Sequence, residues 1–63
     1  MVIKDVVEWY GSQANMARAM GVTPVSVSLW MRDGYMPPAR AIELEVKSGG
    51  KFKAVDLIKT TIG

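Results

Sequence analysis

The sequence predicts an all-α fold: a compact five-helix domain, residues 1–63, organised around a helix-turn-helix. Three observations predict it. Gln13 to Arg32 reads as two short helices on either side of a sharp turn, Met20-Gly21-Val22-Thr23. Apolar residues recur at helical spacing from Ile3 to Tyr10 and from Met16 to Met20. Pro24 and Pro38 sit where helices begin, and Gly11, Gly21, Gly34 and Gly49-Gly50 sit where they end.

Ile3, Val6, Val7 and Tyr10 have the i, i+3, i+4, i+7 spacing of one helix face, with Lys4, Asp5 and Glu8 outside and Gly11 as the stop. β-Branched residues are frequent here, so packing rather than propensity must hold this helix. Trp9 falls at its edge, on the rim of the core. Ser12 caps the second helix, and Met16, Ala17 and Met20 form its inner face. Gly21 supplies the left-handed residue that ends it. Thr23 then caps the third helix, and Pro24 fits a first turn that needs no amide hydrogen. A small residue at Ala17, glycine at 21, and Val27 and Trp30 beyond form a helix-turn-helix signature.

The third helix, Pro24 to about Asp33, has two faces. At about 100° per residue, Val27, Trp30 and Met31 share one side and Val25, Ser28, Leu29 and Arg32 the other. An ordinary covering helix carries Lys and Glu outside. Two aliphatics, a hydroxyl and an arginine suit the major groove of DNA. The other account of Val25 and Leu29 is burial by another part of the chain or by a second protomer.

Gly34 stops this helix, and the prolines at 37 and 38 delay the next until Pro38. Pro38 to Ser48 then reads as a helix, with Ala41, Ile42, Leu44 and Val46 apolar. However, Ile42-Glu43-Leu44-Glu45-Val46-Lys47 also alternates strictly. Ser48-Gly49-Gly50 would then turn a C-terminal β-hairpin spanning about 42–58, giving an α+β fold as the alternative. Ala54, Leu57, Ile58 and Thr61 make a helical stripe in the tail.

Composition narrows the function classes. With no cysteine and no histidine, the chain has neither a disulfide nor ordinary zinc ligands. No phosphate-binding glycine motif occurs, Glu43 and Glu45 fall on opposite sides of a helix, and Asp5 and Glu8 have no evident partner. Catalysis is therefore not expected, and no cofactor or small-molecule ligand is implied. Lys4, Asp5 and Glu8 interrupt the N-terminal apolar residues, and no uncharged run approaches the roughly 18 residues of a membrane span. A cytoplasmic protein is expected. At 63 residues the chain can bury only a small core, so dimerisation would add useful surface. Five methionines leave some of that core loosely specified.

The net charge is only +2, but its distribution is informative. Between Gly11 and Arg40 lie Arg18, Arg32 and Arg40, and a single acid, Asp33. The segment is locally positive, as a nucleic-acid interface requires. A helix N-terminus presents free amides to phosphate, which places Ser12 and Gln13 at a backbone contact. Gln13 is otherwise an ordinary first-turn polar residue. Tyr35, Met36 and Arg40 flank the end of the third helix within reach of the DNA backbone, unless Arg40 is simply solvated.

From about Asp5 to Leu57 the chain resembles the Cro family of bacteriophage repressors, within the lambda-repressor-like superfamily. The resemblance rests on YGSQANMARAMGVTPVSVSLW, the proline-led helix after it, and IELEVKSGGKF. It implies a transcriptional repressor in a bacterial host, acting as a homodimer on a palindromic double-stranded operator. A dimer weak off DNA and firm on it is expected. The family has both all-helical and mixed C-terminal halves, so the choice at 42–58 stays open. The resemblance carries base contacts onto Thr23, Pro24, Val25, Ser28 and Leu29. Backbone contacts are expected at Ser12, Gln13, Arg18, Arg32, Tyr35 and Arg40.

Here the sequence departs from the family, which often reads bases with Gln, Asn, Lys or Arg. Val25 and Leu29 suit thymine methyl groups, and Ser28 makes one hydrogen bond. None forms the bidentate contacts that discriminate by about 1–3 kcal/mol. Modest specificity is expected, with Arg32 and DNA shape contributing more than usual. The competing function is a protein-interaction module, antitoxin-like or antirepressor, docking through Val25 and Leu29 with Met31 and Met36 nearby.

Overall fold

The computed structural model describes residues 2–59. Five helices follow one another: α1 (Val2–Tyr10), α2 (Gln13–Met20), α3 (Pro24–Asp33), α4 (Pro38–Lys47) and α5 (Ala54–Leu57). No strand occurs among the described residues.

α2 packs on α3 and α4 on α5, while α1 touches α2, α3 and α5 and so closes the core. Ile3, Val6, Met16, Val27, Ala41, Leu44 and Leu57 are completely buried where these helices meet. No polar or charged residue is buried among the described ones, so the core is held by apolar burial alone. The first helix has the expected stripe, one residue longer at its start: Ile3 and Val6 are inside and Lys4, Asp5 and Glu8 outside. Trp9 lies on the rim, edge-on to Tyr10 and Phe52 with ring centroids 4.9 and 5.6 Å away.

The turn between α2 and α3 is built as its residues require. Gly21 takes φ +69°, its amide reaches the Arg18 carbonyl, and the Val22 amide donates to the Ala17 carbonyl at 2.9 Å. This double bond pattern closes the α2 C-terminus and turns the chain toward α3. The Thr23 hydroxyl accepts from the Ser26 amide at 3.3 Å, capping α3.

The hairpin alternative at 42–58 is corrected to helix, turn and short helix. α4 buries Ala41 and Leu44 and leaves Ile42 and Val46 mostly in solvent, 61% and 75% exposed. A half-buried strand would have put Ile42, Leu44 and Val46 on one covered face. Local bonding decides the outcome. Pro38 starts the helix, and the Gly49 and Gly50 amides close it on the Val46 and Glu45 carbonyls at 3.1 and 2.9 Å. Gly49 has φ +65°, which a side chain resists.

The tail stripe is shorter than its periodicity suggests. α5 is a single turn, Ile58 is extended, and Thr61 and Ile62 lie outside the described residues. Of the other tail apolars, Phe52 and Ile58 pack against the core, whereas Val55 is exposed.

Glu45 has a role that periodicity did not reveal. Its Oε1 accepts from the Ala54 amide at 2.7 Å and so caps α5 from a neighbouring helix. Ser48 adds a second latch, donating to the Glu45 carbonyl and accepting from the Phe52 amide, each at 3.2 Å. Glu45→Ala is expected to cost about 1.5 kcal/mol, the worth of a hydrogen bond to a charged group. Urea denaturation measures it, and an unchanged midpoint would remove Glu45 from the account.

Candidate nucleic-acid interface

The outer face of α3 and the start of α2 meet at the surface. Val27 and Trp30 point into the core, fixing the rotation of α3. Ser28 and Arg32 therefore face solvent, with Val25 67% and Leu29 42% exposed. Leu29 also borders a cleft of about 320 Å³ with Asp33, Tyr35, Pro37 and Ile58, so only part of its side chain faces outward. Met31 is half-buried. Met36 is not at this surface: it is 1% exposed, and its amide donates to the Leu57 carbonyl at 2.8 Å. Its expected place beside the DNA backbone, or in an apolar docking patch, is corrected to the core.

Two hydrogen-bonded groups organise the α2 end of the face. Ser12 accepts from the Asn15 amide at 3.0 Å, the Asn15 side chain donates to the Tyr10 carbonyl at 3.1 Å, and Arg18 donates to Asn15 Oδ1 at 2.7 Å. Asn15 thus positions Arg18, a role sequence reasoning missed, although the i, i+3 spacing of the pair was visible. The second group joins the two helices: Ser28 Oγ donates to Gln13 Oε1 at 2.8 Å. Thr23 and Pro24 are exposed at the start of α3, and the Thr23 hydroxyl also lies 3.2 Å from that of Ser26.

The three arginines differ. Arg32 pairs with Asp33 at 3.1 Å and Arg40 with Glu43 at 2.9 Å, all partly in solvent. Arg18 has no carboxylate partner among the described residues. Exposed pairs are worth little, so an approaching phosphate can displace either carboxylate. Tyr35 is half-buried with Lys59 Nζ 5.6 Å from its ring centroid. Burial raises the Tyr10 phenol above its ordinary value. No group of His, Cys, Asp and Glu able to hold a metal is formed among the described residues. No described helix is long and apolar enough to cross a membrane.

A family model described as the DNA-binding transcriptional regulator Cro matches residues 3–61. The chain belongs to the Cro family. Among relatives, this Cro-family chain is 34% identical over 53 residues to the regulatory protein cro of Salmonella phage P22, covering 84% of each. It is 37% identical over 57 residues to the regulatory protein cro of Pseudomonas phage D3, covering 89% of this chain and 78% of that one. No solved structure matches it significantly. As a Cro-family member the chain is a DNA-binding transcriptional regulator, a role without catalysis.

Proposed function

We propose that this chain is a sequence-specific transcriptional repressor whose single domain, residues 1–63, inserts α3 into the major groove of a palindromic operator. It acts as a homodimer, weak off DNA, in the cytoplasm of a bacterial host. Two protomers reading a palindrome need recognition helices about 34 Å apart. Thr23, Pro24, Val25, Ser28 and Leu29 meet base edges. Ser12, Gln13, Arg18, Arg32, Tyr35 and Arg40 meet the sugar-phosphate backbone. The observation that carries this reading is the rotation of α3. Burial of Val27 and Trp30 turns Val25, Ser28 and Arg32 outward, beside the N-terminus of α2. Two curated relatives named as phage regulatory proteins support the regulatory role.

Fluorescence-anisotropy titration of duplex DNA at about 50 and 200 mM salt tests it. Three arginines per protomer give about six phosphate contacts per dimer, so affinity should fall on the order of a thousandfold between these salts. Operator selection follows on the same material. Absence of binding at the lower salt would sink the reading. Apolar docking through Val25 and Leu29 is the competing account, and such docking would respond little to salt. Burial of Met36 leaves that account a smaller patch.

A further inference from the structure

We infer that Gln13 and Ser28 act as one reading unit, in which Ser28 serves only as a hydrogen-bond acceptor. On that basis Ser28 recognises an exocyclic amino group on a base edge. The inference rests on the proposed DNA-binding role and names what one position of that interface selects.

The 2.8 Å bond between Ser28 Oγ and Gln13 Oε1 spans fifteen residues of sequence and ties α3 to the start of α2. A glutamine amide has one accepting and one donating end. Its carbonyl end is turned inward to Ser28, so its NH₂ end is left for solvent or a ligand. In the reverse orientation the carbonyl oxygen would meet a phosphate bound at the N-terminus of α2, acceptor against acceptor. A phosphate oxygen accepts and never donates, so it selects the orientation already present. Binding the backbone therefore locks Gln13, and Gln13 in turn holds the Ser28 proton.

A serine hydroxyl has one proton and two lone pairs. With the proton committed, the lone pairs remain. In the major groove, adenine N6 and cytosine N4 are donors, while guanine N7 and O6 and thymine O4 are acceptors. An accepting Ser28 matches adenine or cytosine and sets lone pair against lone pair with the other two. Its outward neighbours Val25 and Leu29 are aliphatic, and Arg32, one turn further along that face, only donates, so no side chain beside Ser28 competes with it for an amino group. Gln13 thereby affects base choice without touching a base.

The test uses a selected operator and duplexes in which the base at the Ser28-dependent pair lacks its amino group. Purine replaces adenine, or 2-pyrimidinone replaces cytosine, and the response shows which base is read. Deleting the amino group should weaken the unaltered protein roughly two- to tenfold, the range of one neutral hydrogen bond, and leave Ser28→Ala unaffected. Gln13→Ala should weaken binding to every duplex and also narrow discrimination at that pair, because the freed hydroxyl can now donate. Gln13→Glu still accepts the Ser28 proton, so it should keep the base preference while losing affinity on all sequences. It keeps the test readable should Gln13→Ala unfold.

An amino deletion without effect on the unaltered protein overturns the inference. So does an equal loss in Ser28→Ala, or a Gln13→Ala profile that is weaker yet unchanged in shape. A protein that binds no duplex at about 50 mM salt fails at the earlier step, the DNA-binding role itself, and takes this inference with it.

Discussion

Replacing Leu44 by alanine is expected to leave most of the chain unfolded at physiological temperature. Leu44 is completely buried on the inner face of α4, in the cluster that joins α4 to the rest of the core. Removing a buried leucine side chain costs about 2–5 kcal/mol, because transfer free energy is lost and a cavity remains. A core of this size, with no disulfide to help it, seldom supplies more than about 3–5 kcal/mol. The loss therefore matches the whole stability of the domain. Leu44→Met conserves volume and should cost under about 1.5 kcal/mol. Ile42→Ala, two residues away and 61% exposed, should cost far less than Leu44→Ala. Thermal melting followed by circular dichroism separates the three. A Leu44→Ala protein melting within a few degrees of the parent would show that α4 contributes little to the core. The Leu44/Ile42 contrast is itself a signature of the helix, since a strand would bury both side chains on one covered face.

The choice between helix and strand at 42–58 shows where the sequence was legible and where it was not. Caps and stops act over three or four residues, so Ser12, Gly21, Thr23 and Gly34 could be read as they stand. The outward face of α3 was equally legible, because Val27 and Trp30 fix its rotation from within the same helix. Residues 42–47 carried two periodicities at once. Ile42 and Val46 are i, i+4 on a helix and also alternate with Leu44 between them on a strand. Only the flanking Pro38 and Gly49-Gly50 distinguish the two, and they do so through backbone bonds. Met36 could not be placed from its neighbours, since it lies between helices and its amide is held by Leu57, about twenty residues on. The Ser28–Gln13 bond depends on how α2 and α3 cross, and each residue alone looks like ordinary helix surface. Asp33 and Glu43 were visible as acids beside Arg32 and Arg40. The local code thus reached the scaffold, the facing of α3 and, at one and three residues' separation, the carboxylates beside Arg32 and Arg40, while the Ser28–Gln13 bond and the place of Met36 required tertiary contacts.

Val25→Asp is expected to abolish DNA binding while leaving the fold intact. Val25 is 67% exposed in the first turn of α3, so its replacement leaves no cavity in the core. That turn has no acidic residue, and a carboxylate there would interact favourably with the helix N-terminus by about 0.3–1 kcal/mol. Valine and aspartate have similar helix propensities, so melting should stay level or rise slightly. In the proposed complex the same carboxylate would enter a groove walled by phosphates. Like charges brought together at an interface cost several kcal/mol, a hundredfold or more in affinity by the rule of about 1.4 kcal/mol per tenfold. Val25→Thr keeps one methyl and the shape of valine, and should lose only the part of the affinity that depends on that apolar contact. Melting and anisotropy titration on the same samples separate stability from binding. A Val25→Asp protein that melts like the parent and still binds the operator as tightly would mean that α3 does not present this face to DNA. The opposite pattern, parent-like melting with binding lost, would locate the groove contact on Val25, because neither loss of fold nor loss of a cation could then account for it.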